Sequence, residues 1–395
     1  MFKLRFLTAG ESHGRALTGI VEGIPANLEL TEQYINTQLK RRQRGYGRGG
    51  RMKIESDRVE ILSGLRWGKT IGSPIALLIR NRDWENWQEG MSIDQAHQGA
   101  IPAVTRPRPG HADLAGIIKY NQKDIRNILE RSSARETAMR VAIGAVARRL
   151  LEHFGIKIGG FVTSVGQEQF EIELAGCDAL KLHTLADKAE DSDLRVPDET
   201  VENKMKEAID RAKKDGYSLG GTFVVFATGV PVGLGSHIQW DRRLDARLAQ
   251  AIMGIQAIKA VEIGSGFELS RRPGSEVMDE IYPPESGKGL LVHRKTNHAG
   301  GIEGGMTNGM PVVIRAAMKP IPTQARPLKS IDISTGEQIE AAYERSDVCA
   351  VPAASIIAEA MLSIVLCDAF LEKFGGDSIE ETETNLKSYL SRISG

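Results

Sequence analysis

Helix signals and glycine-bounded apolar strands alternate through the middle of the chain, but without a fixed βαβ period. The helix pattern runs from about Ala134 to Phe154, from Thr200 to Lys214 and from Leu244 to Ile258. Between these lie Ile156–Val165, Thr222–Val230, Val261–Leu269 and Pro311–Ala317, which read as strands. A doubly wound parallel sheet needs a regular strand–crossover–strand repeat. The spacing therefore predicts an α+β fold, a layered sandwich of β-sheets and α-helices. At 395 residues the length allows two or three domains, or one large domain with long loops. Glycine pairs at 159–160, 220–221, 300–301 and 304–305 hint at an internal duplication.

Towards the ends the patterns are shorter. Phe2, Leu4 and Phe6 alternate with Lys3 and Arg5, predicting an N-terminal strand that runs into the polar turn Gly10–Gly14. Thr31 is placed to cap a helix through Leu39, and Ile75–Ile79 reads as a short buried strand. Residues 81–113 are turn-rich and predict a long loop. Cys349–Phe370 is the most apolar segment, yet it carries Pro352, Glu359 and Asp368, which argues against a membrane span. A polar tail with a last surface helix is expected from about Gly375.

Composition narrows the function classes. The 51 Lys and Arg balance 51 Asp and Glu, so whole-body attraction to nucleic acid or an anionic membrane is disfavoured. Three scattered cysteines without a CxxC exclude a zinc site or a disulfide framework as the organising device, and point to a reducing cytoplasm. Charged residues interrupt the N-terminus too early for a secretory signal.

Several short segments carry chemistry. The run 40–53 holds seven basic residues and no acid. It reads as a solvated helix end, as an RGG-like nucleic-acid segment, or as an anion pocket built from Arg forks and glycine amides. Ser133 and Glu136 fit a capping box, and the helix start, flanked by Arg131 and Arg135, is a ready anion site. His13 between glycines and His111 in Arg108-Pro109-Gly110-His111-Ala112-Asp113 share a glycine-lined turn near charge, suited to moving protons. Two prolines make Lys319–Thr323 a rigid turn, and Arg345 and Asp347 precede an Ala-rich helix, where a structural ion pair is an equal reading. Ser63–Thr70 mimics a phosphate-binding loop, but three residues separate Gly64 from Gly68 where four are needed. Together these residues suit a polyanionic small substrate or cofactor with proton transfers, and no metal cluster is visible.

Gly10–Gly14, Arg131–Thr137 and Arg345–Pro352 resemble the three signature segments of the chorismate synthase family. Arg41–Arg48, Arg108–Asp113 and Lys319–Thr323 are similar to that family too, in the same order, over residues 2 to about 370. Two departures are in Arg195-Val196-Pro197-Asp198, where members often carry Cys before the Pro, and at Ser346, where many carry His. The resemblance implies a reduced-FMN-dependent 1,4-elimination of phosphate from 5-enolpyruvylshikimate 3-phosphate, giving chorismate for aromatic amino acid biosynthesis. NADPH enters as an external reductant of the flavin. By the same resemblance His13, His111 and Asp347 are catalytic, and Arg42, Arg48, Arg51 and Arg135 bind substrate, with a nicotinamide nucleotide as the alternative ligand of Arg42 and Arg48. FMN is expected at Arg131, Ser132, Ser133, Gln256, Ala257, Gly304, Lys319, Pro320, Ile321, Pro322, Thr323 and Arg345. The resemblance also implies a sandwich of sheets and helices in one large α+β domain over 1–395 with long active-site loops, and a cytoplasmic homotetramer with no nucleic-acid, membrane or metal partner.

Overall fold

A computed structural model describes residues 3–48, 56–284, 289–343 and 347–394. Arg51, Arg345, Ser346 and Phe2 lie outside the described residues.

Two antiparallel sheets form the outer frame. The first is built from β1 (Arg5–Ala9), β2 (Ala16–Glu22), β3 (Val59–Ile61) and β4 (Ile75–Arg80) in the order β1-β2-β4-β3. Strict alternation decides which face is inside: Leu17 and Val21 of β2, and Ile75, Leu77 and Ile79 of β4, are all buried. The helix α1 (Glu32–Gln43) starts where Thr31 predicts, with the Thr31 hydroxyl accepting from Tyr34 N, and runs one turn past Leu39.

Two short helices went unpredicted, α2 (Asp113–Tyr120) and α3 (Arg126–Ser132). The central helix α4 (Thr137–His153) starts later than the capping box suggests. Ser133 Oγ accepts from Arg135 N and so caps a 3₁₀ turn, Ala134–Glu136, while the Glu136 carboxylate turns to Arg140 and Gln256. The reciprocal box therefore does not form.

The second sheet runs β8-β9-β7-β5-β6, from β5 (Lys157–Val165), β6 (Glu168–Gln169), β7 (Gly221–Thr228), β8 (Ile258–Ile263) and β9 (Val312–Met318). Its middle strands are buried on both faces, which is why they read as continuous apolar runs. One face meets α8 (Val351–Phe374). On the other, α5 (Ala179–Asp191) packs Leu182 and Leu185 against Phe161, Val224 and Phe226. Val261–Leu269 is corrected: the strand starts at Ile258 and ends at Ile263, and the residues after it form a 3₁₀ turn.

Beside this sheet are α6 (Glu199–Asp215), ended by Gly216 at φ +83°, and α7 (Leu244–Met253), shorter than predicted because Gly254 stops it before Ile258 opens β8. The tail forms α9 (Ile379–Ser394), which buries Ile379, Thr382 and Ile393.

The centre of the sandwich is the pair α4 and α8. A Cβ on Gly144 would lie 2.4 Å from Ala360 Cβ, so glycine is what lets these helices approach. Gly19 does the same between β2 and α4, where a Cβ would meet Met139 Sδ at 2.6 Å. The α8 helix is long and apolar enough to cross a membrane, but its apolar window is wholly buried inside the molecule, as befits a core helix.

Candidate active site

His13 lies on the turn joining β1 to β2, which Gly10 opens at φ +110°, where a Cβ would clash with Ala16 O at 2.4 Å. Glu130 on α3 grips this turn twice: Oε2 accepts from His13 N at 2.7 Å, and Oε1 lies 2.8 Å from His13 Nδ1. The Trp87 ring sits 4.3 Å from the imidazole, and Arg126 rests on that ring. Burial pushes the Glu130 carboxyl up, but the His13 contacts and Arg126 outweigh it and hold it below the ordinary range. Ser12 Oγ donates to Ser133 Oγ at 3.1 Å, tying the turn to the junction between α3 and α4.

An arginine cluster surrounds that junction. Arg42 is buried on the last turn of α1 and donates to Thr137 Oγ1 and Ala134 O. Arg135 donates to Asn81 and, at 2.6 Å, to Asp57, whose other oxygen is 3.6 Å from Arg42. Asp57 thus holds two guanidinium groups side by side. Burial pulls the Arg42 guanidinium down to about 10, with Asp57 opposing and Arg48 and Arg135 adding to the pull. Arg48 pairs with Asp347 at 3.2 Å, and Val348 N donates to Gly47 O, so the two signature loops are clasped together. Because Arg41, Arg42 and Arg48 turn inward to Glu359, Asp57 and Asp347, the described part of the basic run is not a solvated helix end. Arg131 donates to Thr8 O and Gly10 O, and Ser132 Oγ turns back to Ile128 O. Arg131 and Ser132 end α3; they do not begin the long helix.

His111 is built the same way on a different loop. Its Nδ1 lies 2.5 Å from Asp113 Oδ1 at the start of α2. Arg108 donates to both Asp113 oxygens and, through Nη1, to Thr323 Oγ1 at 3.0 Å. Burial raises the Asp113 carboxyl, but His111 and Arg108 together bring it well below the ordinary carboxylate range. Lys319 Nζ donates to Gly110 O at 2.5 Å.

Backbone and side-chain hydrogen bonds connect the two histidine loops. Lys319 N donates to Ala257 O, and the preceding Gln256 donates its amide to Glu136, three residues after Ser133. Ser218 Oγ holds Ile321 O, and Leu219 N donates to Val348 O beside Asp347. Lys319–Thr323, Gln256, Ala257 and Ser133 thus belong to one neighbourhood. The Gln256 Oε1 atom is buried there with no hydrogen-bond partner, so a donor group of a bound flavin fits this wall. Gly304 stands apart: among the described residues no hydrogen bond joins its hairpin to the cluster. Gly305 O accepts from Leu244 N, at the opposite end of α7 from Gln256. A Cβ on Gly304, at φ +59°, would meet open space.

Sequence reasoning passed over Glu130, Asp57, Asn81 and Trp87, and gave Asp113 no role. Glu130 directly precedes Arg131 and Asp113 closes the His111 motif, so their positions were a usable signal. Asp57 and Asn81 carry none.

The comparisons agree with this architecture. The family described as chorismate synthase matches residues 4–371. A chorismate synthase of Aquifex aeolicus is 61% identical over 394 residues, covering 99% of this chain and 98% of its own. One from Geobacter metallireducens is 59% identical over 394 residues, with 99% of each chain covered. A crystal structure of chorismate synthase, 52% identical and covering 99% of this chain and 98% of its own, superposes with a TM-score of 0.80. With the match running through both sheets and all the loops around His13 and His111, the chain belongs to the chorismate synthase family.

Proposed function

We propose that this chain eliminates phosphate from 5-enolpyruvylshikimate 3-phosphate to give chorismate, with the two carboxylate-backed histidines moving protons inside an arginine-lined pocket. Membership of the family makes it a carbon–oxygen lyase of the shikimate pathway. The observation that carries the mechanism is the convergence of His13, Arg42, Arg48, Arg135 and Asp347 on one junction. Expelling phosphate needs cations on the leaving group, and Arg42, Arg48 and Arg135 supply them in a buried setting where they act most strongly. His13 hands a proton to the departing phosphate oxygen. Asp347 sits among the arginines as the carboxylate that assists loss of the C6 proton. His111, with Lys319 and Thr323 beside it, serves the cofactor side of the pocket.

Reduced FMN supplies, when bound, the transient electron that weakens the allylic C–O bond. Arg131, Ser133, Gln256, Ala257 and Lys319–Thr323 are the residues that would hold it, and Gln256 Oε1 is the acceptor waiting for a partner. Arg345, Ser132 and Gly304 as further flavin ligands and Arg51 as a substrate ligand rest on the family resemblance alone, as do NADPH as external reductant, the homotetramer and the cytoplasmic compartment. The test is an anaerobic assay with FMN reduced beforehand. Chorismate and phosphate should appear in equal amounts with no further reductant. A folded sample that releases neither contradicts the reading.

A further inference from the structure

We propose that Glu130 and Asp113 are positioning residues for this reaction, each holding the Nδ1–H of its histidine so that proton exchange is confined to Nε2. The inference rests on the reading that His13 and His111 move protons. Both carboxylates have side chains 1% exposed, while His13 and His111 keep 13% and 17% of theirs. Glu130 and Asp113 are held below their ordinary range by the very groups they touch, so at neutral pH each is an anion that can only accept. Contacts of 2.8 Å and 2.5 Å from an anionic oxygen to Nδ1 require a proton on Nδ1. The free lone pair of the neutral ring is then on Nε2, and in the charged ring Nε2 is the atom that can release its proton without breaking the carboxylate bond.

The surroundings of the two rings agree with that assignment. Near His13, Arg126 Nη1 lies 3.4 Å from Glu130 Oε1, Asp83 Oδ2 is 3.8 Å from Nε2, and Trp87 covers the ring. Near His111, Arg108 Nη2 is 3.1 Å from Nδ1, a nitrogen that already carries a proton and cannot accept, and 3.5 Å from Nε2; its shorter donation is to Asp113 at 3.0 Å, and Lys319 binds the neighbouring Gly110 carbonyl. The same device is thus assembled twice, from α3 for one ring and from the start of α2 for the other. Glu130 spends both oxygens on His13, which fixes ring and backbone together.

The experiment is a pair of double-mutant cycles in the full-length enzyme with pre-reduced FMN: Glu130→Gln with His13→Ala, and Asp113→Asn with His111→Ala. An amide can turn its NH₂ toward Nδ1 and so stabilise the wrong tautomer; in a Ser-His-Asp triad the same change costs about 10⁴-fold in kcat. Each amide variant should lose kcat by about 10²–10⁴-fold with KM little changed. Each double variant should be no slower than its His→Ala parent, because the carboxylate acts only through the ring. Glu130→Asp and Asp113→Glu, which keep the charge, should recover part of the loss, and they replace the amides in the cycle should those fail to fold. Losses that add in the double variants, or amide variants with normal kcat, overturn the proposal while leaving the enzymatic reading intact. Normal turnover by His13→Ala and His111→Ala removes both.

Discussion

Asp347 shows how far a single residue could be read. Its place before the core helix suggested either chemistry or an ion pair with Arg345; the structure gives it Arg48 as partner, at 3.2 Å and partly exposed. Asp347→Asn keeps size and hydrogen bonding but removes the charge. If the carboxylate assists removal of the C6 proton, the variant should fold, bind substrate and turn over slowly, with a larger isotope effect on substrate deuterated at C6. If it only holds Arg48, melting should drop while the isotope effect stays put. Residues of this kind were legible because Arg, His and Ser on glycine turns announce binding. Among the buried carboxylates behind them, Glu130 and Asp113 at least adjoin the motifs, but Asp57 looks like any surface acid, and none of the three shows its partner in the sequence. Only the fold brings Asp57 to Arg42 and Arg135, or Glu130 to His13.

Among the elements, long periodic segments were read well and short ones poorly. The predicted helix at Thr200–Lys214 is present with Asp198 and Gly216 as its caps. The helices α2 and α3 span eight and seven residues, too short to show a clear apolar period among the Pro, Gly and Arg of that region. The core pair of helices sets two predictions. Gly144→Ala places a methyl group 2.4 Å from Ala360 Cβ and should destabilise by about 1–3 kcal/mol, read by chemical denaturation; unchanged stability would mean α4 and α8 can slide apart freely.

The second concerns Glu359, buried on α8. It accepts from Arg41, Arg148 and Arg195, joining α1, α4 and the loop before α6 to the core. The Arg195 guanidinium also donates to Ser355 and Gly160 O. Glu359→Gln leaves the buried Arg195 and the half-buried Arg41 and Arg148 short of one charge, a loss expected to cost on the order of 3–5 kcal/mol. A variant as stable as the parent would show that the arginines find other partners.

At the scale of the whole molecule, the layered α+β architecture was legible because strands without a crossover period must pair antiparallel, and both sheets do. Which sheet covers which helix was not, because sequence spacing does not rank partners for a helix that is apolar all round. The structure also predicts acid sensitivity. Burial raises the Glu190 carboxyl, but Arg41 and Arg195 bring it to about 2, and Glu359, Glu130 and Asp113 are lowered as well. Groups depressed in the folded state stabilise above their unfolded values and lose that contribution as pH falls through the folded ones. Melting temperature should therefore decline as pH drops from about 4.5 towards 2; a flat profile there would contradict the buried network. The loop 81–113 already reaches the site, since Trp87 packs on His13. With substrate and flavin bound, hydrogen exchange in this loop and in 40–53 should slow, and equal exchange in both states would rule out closure. The most direct check of the central claim is single-turnover chorismate formation by the parent enzyme, His13→Ala and His111→Ala, each with pre-reduced FMN. The account predicts rates about 10²–10⁴-fold lower in both variants with substrate binding nearly intact; rates close to the parent's would show that neither histidine moves a proton in the reaction.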